Sequence, residues 1–159
     1  MRTDNGAVKN TIISVYFILI VLAVVMATVF SAFKDITNNA GLTFVILLSV
    51  FAGLFLAVYL IAKYFEYNSD GDKVIVTNKG LLLSEKFNYR AHEVEFDKEE
   101  LVGYKFINYI VYRELVLYTK RKGRSSVRTR FNVSLVTRRK RKYVRQSLSK
   151  IIKNNKNKV

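Results

Sequence analysis

The sequence contains no cysteine and no proline, and it has a single histidine, His92. The lack of cysteine excludes disulfide bonds and thiolate metal sites, so nothing in the chain reports on a redox compartment. A single histidine excludes a metal site that takes several histidines from one chain. Without proline, neither of the two long apolar stretches of the chain should contain a proline kink.

Charged residues are also missing from two stretches, residues 11–33 and residues 41–62. Each is long enough to cross about 30 Å of hydrocarbon, which takes roughly 20 apolar residues. We therefore predict a hairpin of two membrane-spanning helices within residues 11–64, with a connecting loop at residues 34–40. A cleaved signal peptide is the alternative for the first stretch, but signal peptides carry shorter apolar runs of about 7–15 residues.

Small side chains recur at four-residue spacing in both predicted spans. They are Ala23, Ala27 and Ser31 in the first span and Ser49, Gly53 and Ala57 in the second. Faces of this kind let helix backbones approach closely in lipid, so we predict that these residues pack the helices. The plain alternative is that small residues are common in membrane helices. Neither span contains Asp, Glu, Lys, Arg or His, which argues against transport by the hairpin alone.

Basic residues precede the first span and follow the second, whereas the loop between the spans holds only Lys34. Basic flanks stay on the cytoplasmic side of a membrane. We therefore predict a multi-pass protein of the inner, cytoplasmic membrane with both termini in the cytoplasm. Residues 1–10 are predicted to be a short, polar and mobile cytoplasmic segment.

After the second span the hydrophobic pattern changes from continuous to alternating, which predicts short strands. Turn residues at 69–72 and at 78–80 predict tight connections between them, the second one joining strands at residues 73–77 and 81–87. Runs rich in β-branched and aromatic residues, as strands prefer, cover residues 101–107, 109–119 and 127–137. Together these patterns predict a small all-β region of about seven antiparallel strands.

The last element is predicted to be an amphipathic helix with Thr137 as its N-cap. Its apolar face consists of Val144, Leu148, Ile151 and Ile152, at helical spacing. The opposite face is basic, and basic residues crowd the first turn, where the helix dipole disfavours positive charge. This mismatch indicates an anionic partner. Residues 154–159 are predicted to be a disordered basic tail.

A series of strands closed by one C-terminal amphipathic helix resembles the pleckstrin-homology (PH) fold. Residues 74–83, Val-Ile-Val-Thr-Asn-Lys-Gly-Leu-Leu-Leu, look like the early strands of bacterial two-span membrane proteins with a cytoplasmic PH-like domain. Residues 131–137, Phe-Asn-Val-Ser-Leu-Val-Thr, are similar to the final strand of those proteins. The resemblance implies a PH-like domain over residues 65–153. It also implies that residues 68–72 are the first strand-to-strand loop, which holds inositol phosphates in lipid-binding PH domains, although two aspartates there would repel phosphate.

Candidate catalytic groups are few. His92 and Glu93 are adjacent, so on a strand they point to opposite faces and do not form an acid–base pair. Asp97, Glu99 and Glu100 lack the spaced oxygen ligands of a metal-binding loop and fit a solvated turn. The sequence has no phosphate-binding glycine loop, zinc spacing or nucleophile elbow. We expect a non-enzymatic protein without a metal or a cofactor.

The basic excess is concentrated near the C-terminus, where residues 119–159 contain 16 Lys or Arg and no Asp or Glu. Near an anionic membrane surface each basic residue contributes on the order of 1 kcal/mol. We therefore predict contact with anionic phospholipid or an acidic partner through Lys120, Arg121, Lys122, Arg124, Arg138, Arg139, Lys140, Arg141 and Lys142. A cytoplasmic face that is merely basic, in line with the positive-inside tendency, is the alternative.

These observations favour an integral membrane scaffold or accessory subunit whose basic PH-like domain lies at the anionic inner leaflet. Such a protein would mediate interactions within a membrane assembly, with a membrane-protein partner or with further copies of itself. The alternative is a membrane-tethered protein that binds nucleic acid or ribosomes through the basic C-terminal helix, since basic side chains neutralise phosphates.

Overall fold

The computed structural model describes residues 1–29, 40–81, 92–110, 112–120 and 125–157. The chain divides into two compact units, one formed by Met1–Ala7 with Ile61–Val159 and the other by Val8–Leu60. The first is called the β unit below. The chain therefore begins in the β unit, passes through the second unit and returns to the β unit.

The unit Val8–Leu60 contains two helices, α1 (Lys9–Thr28) and α2 (Ala40–Ile61). Both are long and apolar enough to cross a membrane. Large apolar side chains such as Phe17, Val45 and Leu48 are more than half exposed. A helix that is apolar on all sides requires an apolar surrounding. The predicted pair of span-length apolar helices is confirmed, whereas most of the predicted loop between them lies outside the described residues.

The two helices contact each other through large side chains. The rings of Tyr16 on α1 and Phe55 on α2 lie 5.8 Å apart. The less exposed positions of α2 include Leu47, Phe51 and Phe55, at a spacing of four residues. Because these positions share one face of the helix, bulky residues form the partly buried stripe of α2.

The small residues predicted to pack the hairpin lie elsewhere on α2. Ser49, Gly53 and Ala57 are exposed, and a Cβ added at Gly53 would meet nothing within 4 Å. The Ser49 hydroxyl donates a hydrogen bond to the Val45 carbonyl, at 2.8 Å, within its own helix. This face therefore does not seal the hairpin among the described residues.

The three small residues predicted to pack the first span have separate outcomes. Ala23 is half-buried and Ala27 is exposed. Ser31 lies outside the described residues. The four-residue spacing correctly places Ala23 and Ala27 on neighbouring turns, but it does not decide which face of the helix meets its partner.

The N-terminal segment forms a strand instead of a mobile tail. Strand β1 (Arg2–Asp4) pairs antiparallel with β2 (Lys63–Asn68). The next residue, Asn5, is 2% exposed. Its side-chain oxygen accepts from the Phe65 N–H at 2.8 Å and its side-chain nitrogen donates to the Lys63 carbonyl at 3.0 Å. The prediction of mobility is wrong here because the partner of this segment follows α2 and cannot be read from the segment itself.

The first sheet has the strand order β1-β2-β3-β4, with β3 (Lys73–Gly80) and β4 (His92–Asp97). The turn predicted at residues 78–80 is wrong, since β3 continues through it and Gly80 pairs with Lys63. A long ladder with β2 outweighs the local turn preference. The turn at residues 69–72 is confirmed, with Gly71 at φ +70°. The strand predicted at residues 81–87, after the turn predicted at 78–80, lies largely outside the described residues.

The second sheet has the order β5-β6-β7 and consists of β5 (Leu101–Asn108), β6 (Arg113–Thr119) and β7 (Val127–Asn132). The strand predicted at 101–107 is confirmed. The strand predicted at 109–119 starts later, because Tyr109 donates its N–H to the Tyr112 carbonyl at 2.8 Å and forms a turn. The last predicted strand ends at Asn132, because the following residues turn to bury Val133 and Val136 in the core.

The two sheets and the C-terminal helix α3 (Arg138–Lys156) enclose one hydrophobic core. Its buried side chains include Phe65, Tyr67, Val74, Val76, Leu101, Leu115, Leu117 and Phe131. Helix α3 adds Val144, Leu148 and Ile151, and Ile152 packs beside them, as predicted. These seven strands and the helix confirm a small antiparallel all-β unit with a C-terminal helix.

Both ends of α3 are held by side chains. At the start, the predicted N-cap Thr137 accepts a hydrogen bond from the Lys140 N–H at 3.4 Å. Near the end, the Asn155 side chain donates to the carbonyls of Lys98 and Leu101 at 2.7 and 3.1 Å. The predicted disordered tail is therefore helical through Lys156.

Candidate functional site

One end of the β unit is the place where the chain leaves for α1 and returns from α2, and we call it the exit end. Asn5 and Lys63 meet there. The Asn78 side chain joins the two sheets at this end, because its nitrogen donates to the Tyr64 and Asn132 carbonyls at 2.9 and 3.0 Å. The first turn of α3 lies at the same end, since Lys140 Nζ donates to the Asp4 carbonyl at 2.5 Å.

The turn between β5 and β6 also belongs to the exit end. Val133, directly after β7, donates its N–H to the Arg113 carbonyl at 2.9 Å. The Arg113 N–H in turn donates to the Ser134 hydroxyl at 2.9 Å. Because Arg113 pairs with Asn108 across the sheet, the end of β5 lies beside the segment that leads into α3.

The opposite, far end of the β unit carries carboxylates together with the cations Lys73, Lys98 and Lys120. The Lys98 N–H donates to the Asp72 carbonyl at 3.2 Å, and the Lys120 N–H donates to the Glu100 carbonyl at 2.8 Å. Carboxylates at this end belong to Asp70, Asp72, Asp97, Glu99 and Glu100. The first strand-to-strand connection is the segment that carries α1 and α2, so residues 68–72 are the second one. This corrects the expectation that they form the first loop.

An open groove of about 550 Å³ lies between the end of β5 and the first two turns of α3. The residues that line it are Phe106, Asn108, Arg138, Arg141, Lys142, Arg145 and Gln146. The four cationic residues follow i, i+3, i+4 and i+7 spacing, which places them on one face of the helix. None of the described residues that line the groove carries a carboxylate.

Arg141 occupies the middle of this cationic face. Its side chain is half-buried, and Nη1 is buried without a hydrogen-bond partner in the described part of the chain. Burial lowers the pKa of the Arg141 guanidinium, and the positive charges of Arg113, Arg138 and Arg145 lower it further. A buried charged donor without an acceptor costs on the order of 1–3 kcal/mol or more. An anion in the groove would offset the positive charge that Arg141 shares with its neighbours.

Arg145 is oriented by an aromatic side chain from the second sheet. Its Cζ lies 5.2 Å from the centre of the Phe106 ring. A guanidinium over an aromatic face is attracted by the ring quadrupole. Phe106 therefore forms part of the groove wall and holds one of its cations in place.

The predicted cluster of Arg138, Arg139, Lys140, Arg141 and Lys142 does not act as one surface. Arg138, Arg141 and Lys142 face the groove. Lys140 instead reaches the Asp4 carbonyl of β1. Arg139 donates from Nε to the Tyr143 hydroxyl at 2.8 Å, and this hydrogen bond raises the pKa of its guanidinium.

The other predicted contact residues are Lys120, Arg121, Lys122 and Arg124. Lys120 lies at the far end, whereas Arg121, Lys122 and Arg124 lie outside the described residues. Conversely, Arg145 belongs to the groove although the predicted contact set omits it. The helical spacing from Arg138 was the signal that could have included it. No local signal in the sequence brings the β5 residues Phe106 and Asn108 to this helix.

An exposed apolar tip follows the groove wall directly along the chain. After Asn108, the side chains of Tyr109 and Ile110 are 55% and 99% exposed. The rings of Tyr109 and Tyr112 lie 6.1 Å apart across the turn. Burial raises the pKa of Tyr112, and the neighbouring Glu114 carboxylate raises it further. The exit end thus combines a cationic groove with an apolar turn.

The groups considered for catalysis are dispersed. His92 is exposed at the start of β4, with its ring 5.3 Å from that of Phe131. Lys98–Glu100 form a single 3-10 turn at the far end. Among the described residues, no group of three or more histidine or carboxylate side chains is placed to hold a metal ion.

The chain matches no protein-family model, no curated protein and no solved structure. The chain is therefore described by its architecture. The described residues form two span-length apolar helices and an all-β unit of seven strands with a C-terminal helix and a cationic groove.

Proposed function

We propose that the chain is a two-span integral membrane protein whose β unit rests with its exit end on the anionic cytoplasmic leaflet. In this position it serves as a non-catalytic scaffold or accessory subunit of a membrane assembly. The observation that carries the proposal is the location of the groove. Four cationic side chains with no carboxylate among them lie at the end of the β unit where the chain leaves for α1 and returns from α2.

The charge distribution of the β unit supports this orientation. The exit end carries the cations of the groove, whereas the far end carries charges of both signs, so an anionic surface attracts the groove side of the β unit more strongly. Each basic residue near such a surface contributes on the order of 1 kcal/mol, and the effect fades over a Debye length of about 8 Å at physiological salt. The exposed side chains of Tyr109 and Ile110 add apolar surface of the kind that enters the membrane interface.

The pairing of β1 with β2 supports the two-span topology. Because β1 precedes α1 and β2 follows α2, both ends of Val8–Leu60 are joined to one folded unit. One folded unit lies on one side of a bilayer, so the chain crosses it an even number of times. The basic flanks assign that side to the cytoplasm.

A PH-like identity of the β unit is part of the proposal. Four strands in one antiparallel sheet, three in the next and a C-terminal helix support it. In this reading the two spans are inserted between the first and second strands of the PH-like domain. The resemblance implies a phosphate site at residues 68–72, but these residues lie at the far end and include two aspartates. The groove beside α3 is therefore the proposed lipid-facing surface.

A scaffold requires a surface for its partner. Ser49, Gly53 and Ala57 form an exposed small-residue face on α2, and such faces let a second helix approach closely in lipid. This supports contact with a membrane-protein partner or another copy of the chain.

The absence of cysteine allows a direct test of the orientation. Asn108→Cys places one fluorophore at the exit end, and Asn157→Cys places one at the end of α3 near the far end. The labelled full-length protein is reconstituted in nanodiscs with lipid-attached quenchers, of phosphatidylcholine alone or with phosphatidylglycerol. We expect stronger quenching at position 108, which increases with phosphatidylglycerol and weakens in high salt.

Equal quenching at both positions, or quenching at position 108 that ignores lipid charge and salt, would contradict the proposal. Purified protein that carries nuclease-sensitive RNA and shows no preference of position 108 for anionic lipid would favour the nucleic-acid alternative.

A further inference from the structure

We propose that the groove is a defined binding site for a single phosphomonoester group, held by Arg138, Arg141 and Arg145. The group is carried either by a lipid headgroup or by a soluble metabolite. The inference deepens the proposed function, and its lipid form rests on that function.

The donors of the groove match a phosphate better than a carboxylate. Guanidinium groups present planar forks that bind phosphate oxygens in bidentate pairs. Three arginines line one groove. Together they offer more hydrogen-bond donors than the two oxygens of a carboxylate can accept. Arg141 lies between Arg138 and Arg145 on this helix face and is half-buried.

The charge of the groove favours a dianion. Arg138, Arg141, Lys142 and Arg145 repel one another, and no lining carboxylate offsets them. The lowered pKa of Arg141 reports this repulsion together with burial. A phosphomonoester carries about −1.5 to −2 charges at neutral pH, so it relieves more of the repulsion than a phosphodiester with its single charge.

The contacts that the neighbouring cations make distinguish a defined site from a generally basic surface. Arg139 is bonded to Tyr143 and Lys140 to the Asp4 carbonyl, so both already have partners away from the groove. Arg145 is fixed over Phe106. The groove volume of about 550 Å³ lies within the range of ligand pockets, about 300–1,000 Å³. Binding should therefore depend on which arginine is changed and not on how many charges are removed.

Arg141 and Arg139 provide a matched pair of variants. Full-length protein in phosphatidylcholine nanodiscs is titrated calorimetrically with glycerol 3-phosphate. We expect Arg141→Gln to weaken binding by about tenfold or more, as for a lost hydrogen bond to a charged group. Arg139→Gln removes the same charge and should change the affinity by less than about threefold. Arg141→Lys should also weaken binding, since it keeps the charge but loses the fork.

A fold control keeps these results interpretable. Circular dichroism and thermal unfolding identify any variant that does not fold. If Arg141→Gln fails this control, Arg145→Gln takes its place, with the same expected loss.

Two lipid compositions distinguish the sources of the phosphate. Phosphatidic acid presents a phosphomonoester, whereas phosphatidylglycerol at matched surface charge presents a phosphodiester. If the lipid is the ligand, nanodiscs with phosphatidic acid will lower the apparent affinity for glycerol 3-phosphate more than those with phosphatidylglycerol. Equal affinities in the two nanodiscs assign the site to a soluble phosphomonoester.

The inference is overturned if Arg141→Gln and Arg139→Gln weaken binding equally, or if glycerol 3-phosphate does not bind at all. Binding of a phosphodiester with the same affinity would overturn it as well. These failures are separate from failure of the proposed function, because salt-sensitive quenching at position 108 would persist with a merely cationic surface. Arg141-dependent binding of glycerol 3-phosphate without that quenching would support the phosphomonoester site and contradict the proposed membrane orientation.

Discussion

Asn5 is the residue on which the attachment of the N-terminal strand most depends, and Asn5→Ala tests it. The substitution removes two side-chain hydrogen bonds, to the Phe65 N–H at 2.8 Å and the Lys63 carbonyl at 3.0 Å. Each such bond contributes about 0.5–1.5 kcal/mol net, and a buried N–H left without a partner adds to the cost. Because Asn5 is 2% exposed, water does not readily replace the lost partners. We expect β1 to be destabilised by about 2 kcal/mol.

Hydrogen exchange on the full-length protein in nanodiscs measures this loss locally. A destabilisation of about 2 kcal/mol corresponds to roughly thirtyfold faster exchange of the amides that pair β1 with β2. Asn154→Ala, at an exposed position of α3, is the control and should leave those amides unchanged. Exchange in β1 that is already fast in the unmodified protein, or unaffected by Asn5→Ala, would refute the reasoning. A fragment that begins at Glu66 should not fold, because it lacks β1 and half of β2.

Three further predictions concern the core, the apolar turn and tyrosine ionisation. Leu148→Ala, at a side chain with no exposed surface, should lower the free energy of unfolding by about 2–5 kcal/mol in denaturant titrations, unlike Lys150→Ala at an exposed position of the same helix. Ile110→Asp should reduce quenching at position 108 without altering the thermal unfolding midpoint, because the side chain is exposed and contributes only to membrane contact. Burial and the hydrogen bond to Glu66 raise the pKa of Tyr64 to about 12. Stability should therefore fall between pH 10 and pH 12, less steeply in Tyr64→Phe, and an unchanged slope in that variant would contradict the assignment.

Local composition and spacing were sufficient to predict several helices and strands. The two apolar helices follow from uncharged stretches that are long enough to span a bilayer. Helix α3 follows from the period of Val144, Leu148 and Ile151 and from the cap at Thr137. Strand β5 follows from its β-branched and aromatic residues. In each case the signal lies within the element itself.

Pairing over long distances in the chain was decided only by the tertiary structure. Arg2–Asp4 is too short to show a strand pattern, and its partner β2 follows two intervening helices. At residues 78–80 the turn preference is real, but hydrogen bonds to β2 extend β3 through Gly80, since the ladder satisfies backbone groups that a turn would leave open.

The groove shows the same division. Its cations could be predicted as a basic helix face from the sequence, but the sequence could not separate Arg141 from Arg139 and Lys140. Successive residues of an α-helix are rotated by about 100° about its axis. Arg141 therefore faces the groove, Arg139 contacts Tyr143 and Lys140 reaches the Asp4 carbonyl. Phe106 reaches Arg145, and Asn108 lines the same groove, only because the second sheet packs against α3. Charge was thus set by the sequence, whereas its arrangement into a concave site depended on which surfaces the core brought together.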